Sequence, residues 1–151
     1  MGHVLGRLDH HAEIDMVEEK AKPLPRLTPD NRIFWESARQ HKLMLPYCLH
    51  CERPYWPPGP VCPYCFGEEL TWKEASGRGT VSSWVVVYKA WLPAFAADIP
   101  YNAVQVHLEE GVCLTGNVVG IPNEALRVGL PVQVVFDDVT PEAALTRFRP
   151  R

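Results

Sequence analysis

The sequence predicts a mainly β chain: one N-terminal helix, a four-cysteine zinc ribbon, then a five-stranded barrel. Three observations carry this. Cys48, Cys51, Cys62 and Cys65 form two C-x-x-C pairs separated by ten residues. That spacing lets four thiolates close on one tetrahedral Zn²⁺. Thr28-Pro29-Asp30, ahead of an apolar stripe, reads as a helix start. From Gly77 the chain runs through five short β-branched or alternating segments, the pattern of a small closed barrel, most simply an OB-fold.

Composition sets the frame. At 151 residues, 46% hydrophobic and 22% charged, the chain has the make-up of a soluble globular domain carrying a metal-stapled module. No apolar run approaches the roughly 20 residues of a membrane helix. Met1 to Arg26 has no apolar core of signal-peptide type. These features predict a cytoplasmic protein with reduced cysteines and no membrane partner.

Residues 1–27 are polar and mixed in charge and end in Pro23-Leu-Pro25, which predicts a loose tail that orders on a partner. Residues 28–45 form the predicted docking helix, running to about Leu43. In it Thr28 caps, Pro29 sits where its missing N–H costs nothing, and Asp30 meets the positive end of the dipole. Ile33, Phe34, Ser37, Ala38 and His41 form its stripe, with Trp35 to one side, and Pro46 cannot extend it. Residues 46–76 form the ribbon, two cysteine knuckles joined by Pro54-Tyr-Trp-Pro-Pro-Gly-Pro60. So small a module gains its folding free energy from metal, on the order of 10 kcal/mol in zinc peptides.

Residues 77–151 form the barrel. Its strands are read at Gly79–Tyr88, Tyr101–Leu108, Val112–Val118, Val132–Phe136 and Leu145–Phe148. Glu109-Glu110-Gly111 reads as a hairpin loop with a left-handed glycine, and Pro122 to Leu126 leaves room for one helical turn.

The whole arrangement resembles a known family. An N-terminal helix with Phe34-Trp35 leads into the Cys₄ ribbon. Gly77-x-Gly79-Thr-Val, Pro100-Tyr101, Glu110-Gly111, Leu126-Arg-Val-Gly129-x-Pro-Val132 and the closing Phe148-Arg-Pro150 follow. Residues 28–150 resemble the acyl-CoA-associated OB-fold family with a rubredoxin-like zinc ribbon. The resemblance implies an accessory subunit of a thiolase-fold enzyme: a thiolase, an acyl-CoA synthase or an aldolase that cleaves acyl-CoA side chains. In such pairs the enzyme supplies the nucleophile and acid/base groups. The small subunit helps to shape an acyl-CoA site that the two share. The assembly implied is a hetero-oligomer.

The residues can be weighed one by one. Cys48, Cys51, Cys62 and Cys65 predict one structural zinc per chain, because four thiolates leave no open position for water or substrate. Neither pair sits in the strand-to-helix context of a redox motif. His50 lies inside the first knuckle, where four sulfurs already satisfy a metal. Cys113 falls mid-strand with no nearby cation or helix start to activate it. No catalytic constellation is visible. Phe34, Trp35, Trp91 and Phe95 are the candidate partner-interface residues: the first two lie on adjacent faces of one helix and cannot both enter a small core, so one of them faces a partner, and the others lie in a proline-rich loop. Arg78, Lys89, Arg147 and Arg149 are candidate cations for coenzyme A, and nothing in the sequence selects among them.

Two rival functions are a stand-alone acyl-CoA binder and a nucleic-acid module. Charge argues against the second. From Gly79 to Arg151 there are five Lys/Arg against seven Asp/Glu, whereas phosphate backbones need a basic stripe.

Overall fold

The computed structural model describes residues 21–151. Residues 1–20 of the expected tail lie outside the described residues.

The helix α1 spans Arg32–Ala38, shorter than the sequence predicts. Its start is later than read, with Asn31 as the N-cap, and the capping hydroxyl of Thr28 closes the turn just ahead of it: Asn31 N–H donates to Thr28 Oγ1 at 3.3 Å, and Thr28 N–H donates to Asn31 Oδ1 at 2.7 Å. This is a reciprocal capping box with asparagine in the acceptor role. Its end corrects the expectation of a helix to Leu43. His41 N–H donates to the Ala38 carbonyl and Lys42 N–H to the Ser37 carbonyl. These two bonds form a Schellman motif with His41 in the left-handed conformation, φ 57°. The strained residue is held from outside. Its ring stacks on Phe136 at 5.4 Å, and its Nε2 lies 3.0 Å from both oxygens of Asp138.

A small antiparallel sheet follows. β1 (Met44–Cys48) lies between β2 (Arg53–Pro54) and β3 (Leu70–Glu74). It carries the first knuckle at its C-terminal end.

The barrel comprises β4 (Arg78–Val87), β5 (Tyr101–Leu108), β6 (Cys113–Gly116), β7 (Pro131–Thr140) and β8 (Ala143–Pro150), in the order β6-β5-β4-β7-β8. A parallel bridge between Val118 and Phe148 brings the end strands together and nearly closes it. Gly116 permits that seam: a Cβ there would stand 2.9 Å from the Phe148 ring. The alternation read in β5 is observed, with Val104, Val106 and Leu108 inward. They join Val81, Leu114, Val132 and Phe148 in one buried cluster. Gly111 takes φ 86° in the β5–β6 loop, and a short 3-10 turn occupies Asn123–Ala125.

Phe34 ties the parts together. It belongs to the same buried cluster as the barrel residues. Its ring meets Trp35 edge-on at 4.9 Å and Trp56 of the ribbon loop at 4.7 Å. Helix, ribbon and barrel therefore share one core, and the two tryptophans wrap the phenylalanine.

Candidate metal centre

Each knuckle is built the same way. β1 delivers Cys48, and the chain turns through Leu49 and His50 to Cys51. Leu49 N–H donates to the Glu69 carbonyl at 2.9 Å, which pins the turn to the residue just before β3. In the second knuckle Phe66 N–H donates to the Cys62 carbonyl and Cys62 N–H to the Gly67 carbonyl, both at 2.9 Å. The residue after each second cysteine is left-handed: Glu52 at φ 53° and Phe66 at φ 58°. Neither is glycine, so both backbones are held in a costly conformation. Between the knuckles, the buried Tyr55 donates its hydroxyl to the Gly59 carbonyl at 2.9 Å and anchors the proline-rich crossing loop.

The four sulfurs converge. All lie within 4.8 Å of one another. Cys48 and Cys65 Sγ are 3.6 Å apart, as are Cys51 and Cys62 Sγ. Zn–S bonds of about 2.3 Å in a tetrahedron put sulfurs about 3.8 Å apart, so the cage fits zinc. Each knuckle contributes one buried cysteine, Cys48 or Cys62, and one half-buried, Cys51 or Cys65. No disulfide competes, because all five cysteines are free.

The local electrostatics separate the thiols. Burial pushes the Cys62 thiol up, yet the backbone N–H groups of Tyr64 and Cys65 and the neighbouring thiols outweigh it and bring it down to about 6. For Cys65 the Gly67 amide favours the thiolate, but burial and the other three cysteines push it up to about 11. Cys51 is also raised, first by burial and then by its bonds to Cys62 and Cys48. Four sulfurs crowded together hold protons unequally, and a divalent cation relieves that crowding by replacing them all. His50 stands exposed beside this cage and is not part of the cluster.

The candidate interface residues separate in space. Phe34 is only 2% exposed, which removes it from the candidate interface residues and leaves Trp35 as the one on the helix: the two tryptophans and the barrel enclose Phe34. Trp35 is half-buried against the core. Trp91 is 76% exposed, with the Lys89 ammonium 4.4 Å from its ring. Phe95 is half-buried in a 3-10 turn, Pro93–Phe95, packed towards Tyr101.

Phe95 and Tyr101 also wall a cavity of about 660 Å³ at the barrel mouth, with Lys22, Asn102, Asn117 and Arg147. Asn102 is buried and fully engaged. Its amide donates to the Val118 carbonyl and to Asn123 Oδ1, both at 2.9 Å, and its oxygen accepts from Val118 N–H at 2.7 Å. Arg147 bonds Asn117 and pairs with Asp137 at 3.0 Å. The sequence reading passed over Asn102. Its signal was a polar residue continuing the inward register of Val104, Val106 and Leu108. Of the other candidate cations, Arg78 is paired to Glu109 at 2.8 Å and Arg149 is exposed. Cys113 is a half-buried strand residue opposite His107.

Comparison with known proteins places this architecture. Residues 35–71 match the family model described as the ChsH2 rubredoxin-like zinc ribbon domain, and residues 72–137 match the ChsH2 C-terminal OB-fold domain. The chain is similar to a probable enoyl-CoA hydratase alpha subunit of Thermomonospora curvata, 36% identical over 139 residues, covering 90% of this chain and 43% of that protein. It is also similar to a DUF35 domain-containing scaffold protein of Methanocaldococcus jannaschii, 33% identical over 90 residues, covering 59% of this chain and 63% of that protein. The chain thus spans less than half the length of the hydratase subunit. Among solved structures it resembles a chain described as Ltp2-ChsH2(DUF35) aldolase, with a TM-score of 0.76 and 36% identity, covering 83% of this chain and 98% of that one.

Proposed function

The chain belongs to the ChsH2 family of zinc-ribbon and OB-fold proteins, and from that premise we propose that it is a non-catalytic accessory subunit of an enzyme complex acting on acyl-CoA. The observation that carries this reading is the solved relative. It is described by two components and as an aldolase, and this chain spans almost all of the one chain it matches there. The scaffold and alpha-subunit descriptions of the other relatives point the same way. The partner we propose is a thiolase-fold enzyme that supplies the nucleophile and acid/base groups, in a hetero-oligomer.

The residues fit a supporting role. Cys48, Cys51, Cys62 and Cys65 would hold one zinc per chain. With four sulfurs grouped there, such an ion would be structural, because no coordination position would be left open. The cage fixes the ribbon, the Trp56 ring passes that position to Phe34, and Phe34 passes it to the barrel. The exposed Trp91 is the docking aromatic, with Phe95 behind it and Trp35 on the helix face. The barrel mouth, apolar at Phe95, Tyr101 and Leu145 and polar at Asn117 and Arg147, lines one wall of the acyl-CoA site shared with the enzyme. Holding substrate in register is a large part of catalysis even where no bond is made by the subunit that does it.

Co-expression with a thiolase-like enzyme encoded beside this chain tests the reading. The two are expected to co-elute as one species of defined mass. Separate elution, with the enzyme fully active alone, would overturn it.

The α-subunit relative favours a second reading, in which the partner is a hydratase subunit. Assaying the same preparation for enoyl-CoA hydration and for carbon–carbon cleavage separates the two.

A further inference from the structure

Among the described residues, one edge of β4 is left without a strand partner over half its length. The strand pairs with β5 from Gly79 to Val87 but with β7 only from Arg78 to Thr80. The last bonds on the β7 side belong to Val81. Its N–H donates to the Leu130 carbonyl at 3.0 Å, and its carbonyl accepts from Gly129 N–H at 2.7 Å. From Ser82 to Val87 that edge has no strand partner among the described residues.

The ladder shows which groups are free. Val81 points its main chain away from β5, and the register shifts between Val81 and Ser83. Alternation beyond that bulge puts the N–H and C=O groups of Trp84 and Val86 on the open edge. Proteins ordinarily blunt such an edge with charge, proline or a covering loop. Ser82 to Tyr88 contains no charged residue and no proline. Instead Val85 is 60% exposed and Tyr88 72%.

We propose that this edge is a dimer seam, occupied by β4 of a second copy of the chain running antiparallel about a two-fold axis at Val85. The pairing is self-complementary. Trp84 of one copy meets Val86 of the other, and both present their free main-chain groups, so each exchanges two hydrogen bonds without slipping register. Val85 meets its own counterpart at the axis. The segment carries no charge, so identical residues face one another without repulsion. One continuous sheet then crosses the two barrels, with the exposed Val85 and Tyr88 packing beside the seam, as an isologous interface requires. The seam is independent of the accessory-subunit reading, because it needs only this chain.

The test is the oligomeric state of the full zinc-loaded chain, measured by sedimentation across a wide concentration range. The expected result is a reversible dimer. Val86→Pro, which removes one outward donor, and Val85→Lys, which sets two ammonium groups at the axis, should each return it to monomer. Zinc content and circular dichroism show that each variant is folded, and Val85→Lys leaves the backbone chemistry unchanged if the proline is not tolerated. Val85→Cys supplies a positive readout. Non-hydrogen-bonded antiparallel partners sit about 4.5 Å apart at Cα, so mild oxidation should link two chains through residue 85. A monomer at every concentration overturns the seam. So does a dimer indifferent to both substitutions, or an absence of cross-linking at residue 85 in a folded dimer.

Discussion

The ribbon and the barrel solve the same problem with different means. Between Cys48 and Cys65 the fully buried side chains are few, chiefly Cys48, Tyr55 and Cys62. The barrel instead encloses Val81, Val104, Val106, Leu114, Val132 and Phe148 in one cluster. The ribbon also holds two non-glycine residues, Glu52 and Phe66, in left-handed conformations, whereas every left-handed residue described from Gly77 onward is a glycine. A region with little core tolerates such backbone only if something else fixes it, and here that is the convergence of four sulfurs. The ribbon's stability is therefore a metal equilibrium, and the barrel's is a packing equilibrium. Phe34 and Trp56 couple the two.

The largest separation of the two regions should come from the metal. Chelation, or Cys62→Ser, removes a contribution on the order of 10 kcal/mol. Hydrogen exchange should then show loss of protection in β1–β3 while β5 and β8 keep theirs. Acid should act in the same direction. At neutral pH the metal must displace protons from Cys51 and Cys65, both held above the ordinary thiol range, while Cys62 is already ionised above about 6. Apparent zinc affinity should rise with pH through neutrality, checked by competition with a chelator.

Packing comes next. Phe148→Ala opens the barrel seam against Gly116 and should cost about 3–5 kcal/mol in urea unfolding, with zinc content unchanged. Asn102→Ala strips partners from Val118 N–H and C=O and should cost about 1–3 kcal/mol. The smallest effect belongs to the helix stop. The His41–Asp138 pair is exposed, so Asp138→Asn should cost no more than about 1 kcal/mol. A much larger loss there would mean that the helix end, and not Phe34, governs the coupling.

The sequence made the two regions legible to different degrees. The cage was readable because cysteine spacing is local, and the inward face of β5 because alternation is local. The helix stop was hidden. Schellman ends usually show a glycine, and here His41 fills that position by leaning on Phe136 and Asp138, which arrive from β7. Which of Phe34 and Trp35 turns inward was hidden for the same reason: the second aromatic cover of Phe34, Trp56, comes from the ribbon loop. β7 runs on to Thr140 although Asp137 and Asp138 break the apolar alternation, because its end pairs with β8 in solvent. In each case the missing information was tertiary.

The most direct test of the central claim is acyl-CoA turnover measured for this chain alone, for the proposed thiolase-fold partner alone and for the two together. The account predicts no turnover by the chain alone, little by the enzyme alone, and full activity on mixing that is lost when Trp91 is replaced by alanine. Turnover by the isolated chain, or an enzyme indifferent to its presence, would contradict it.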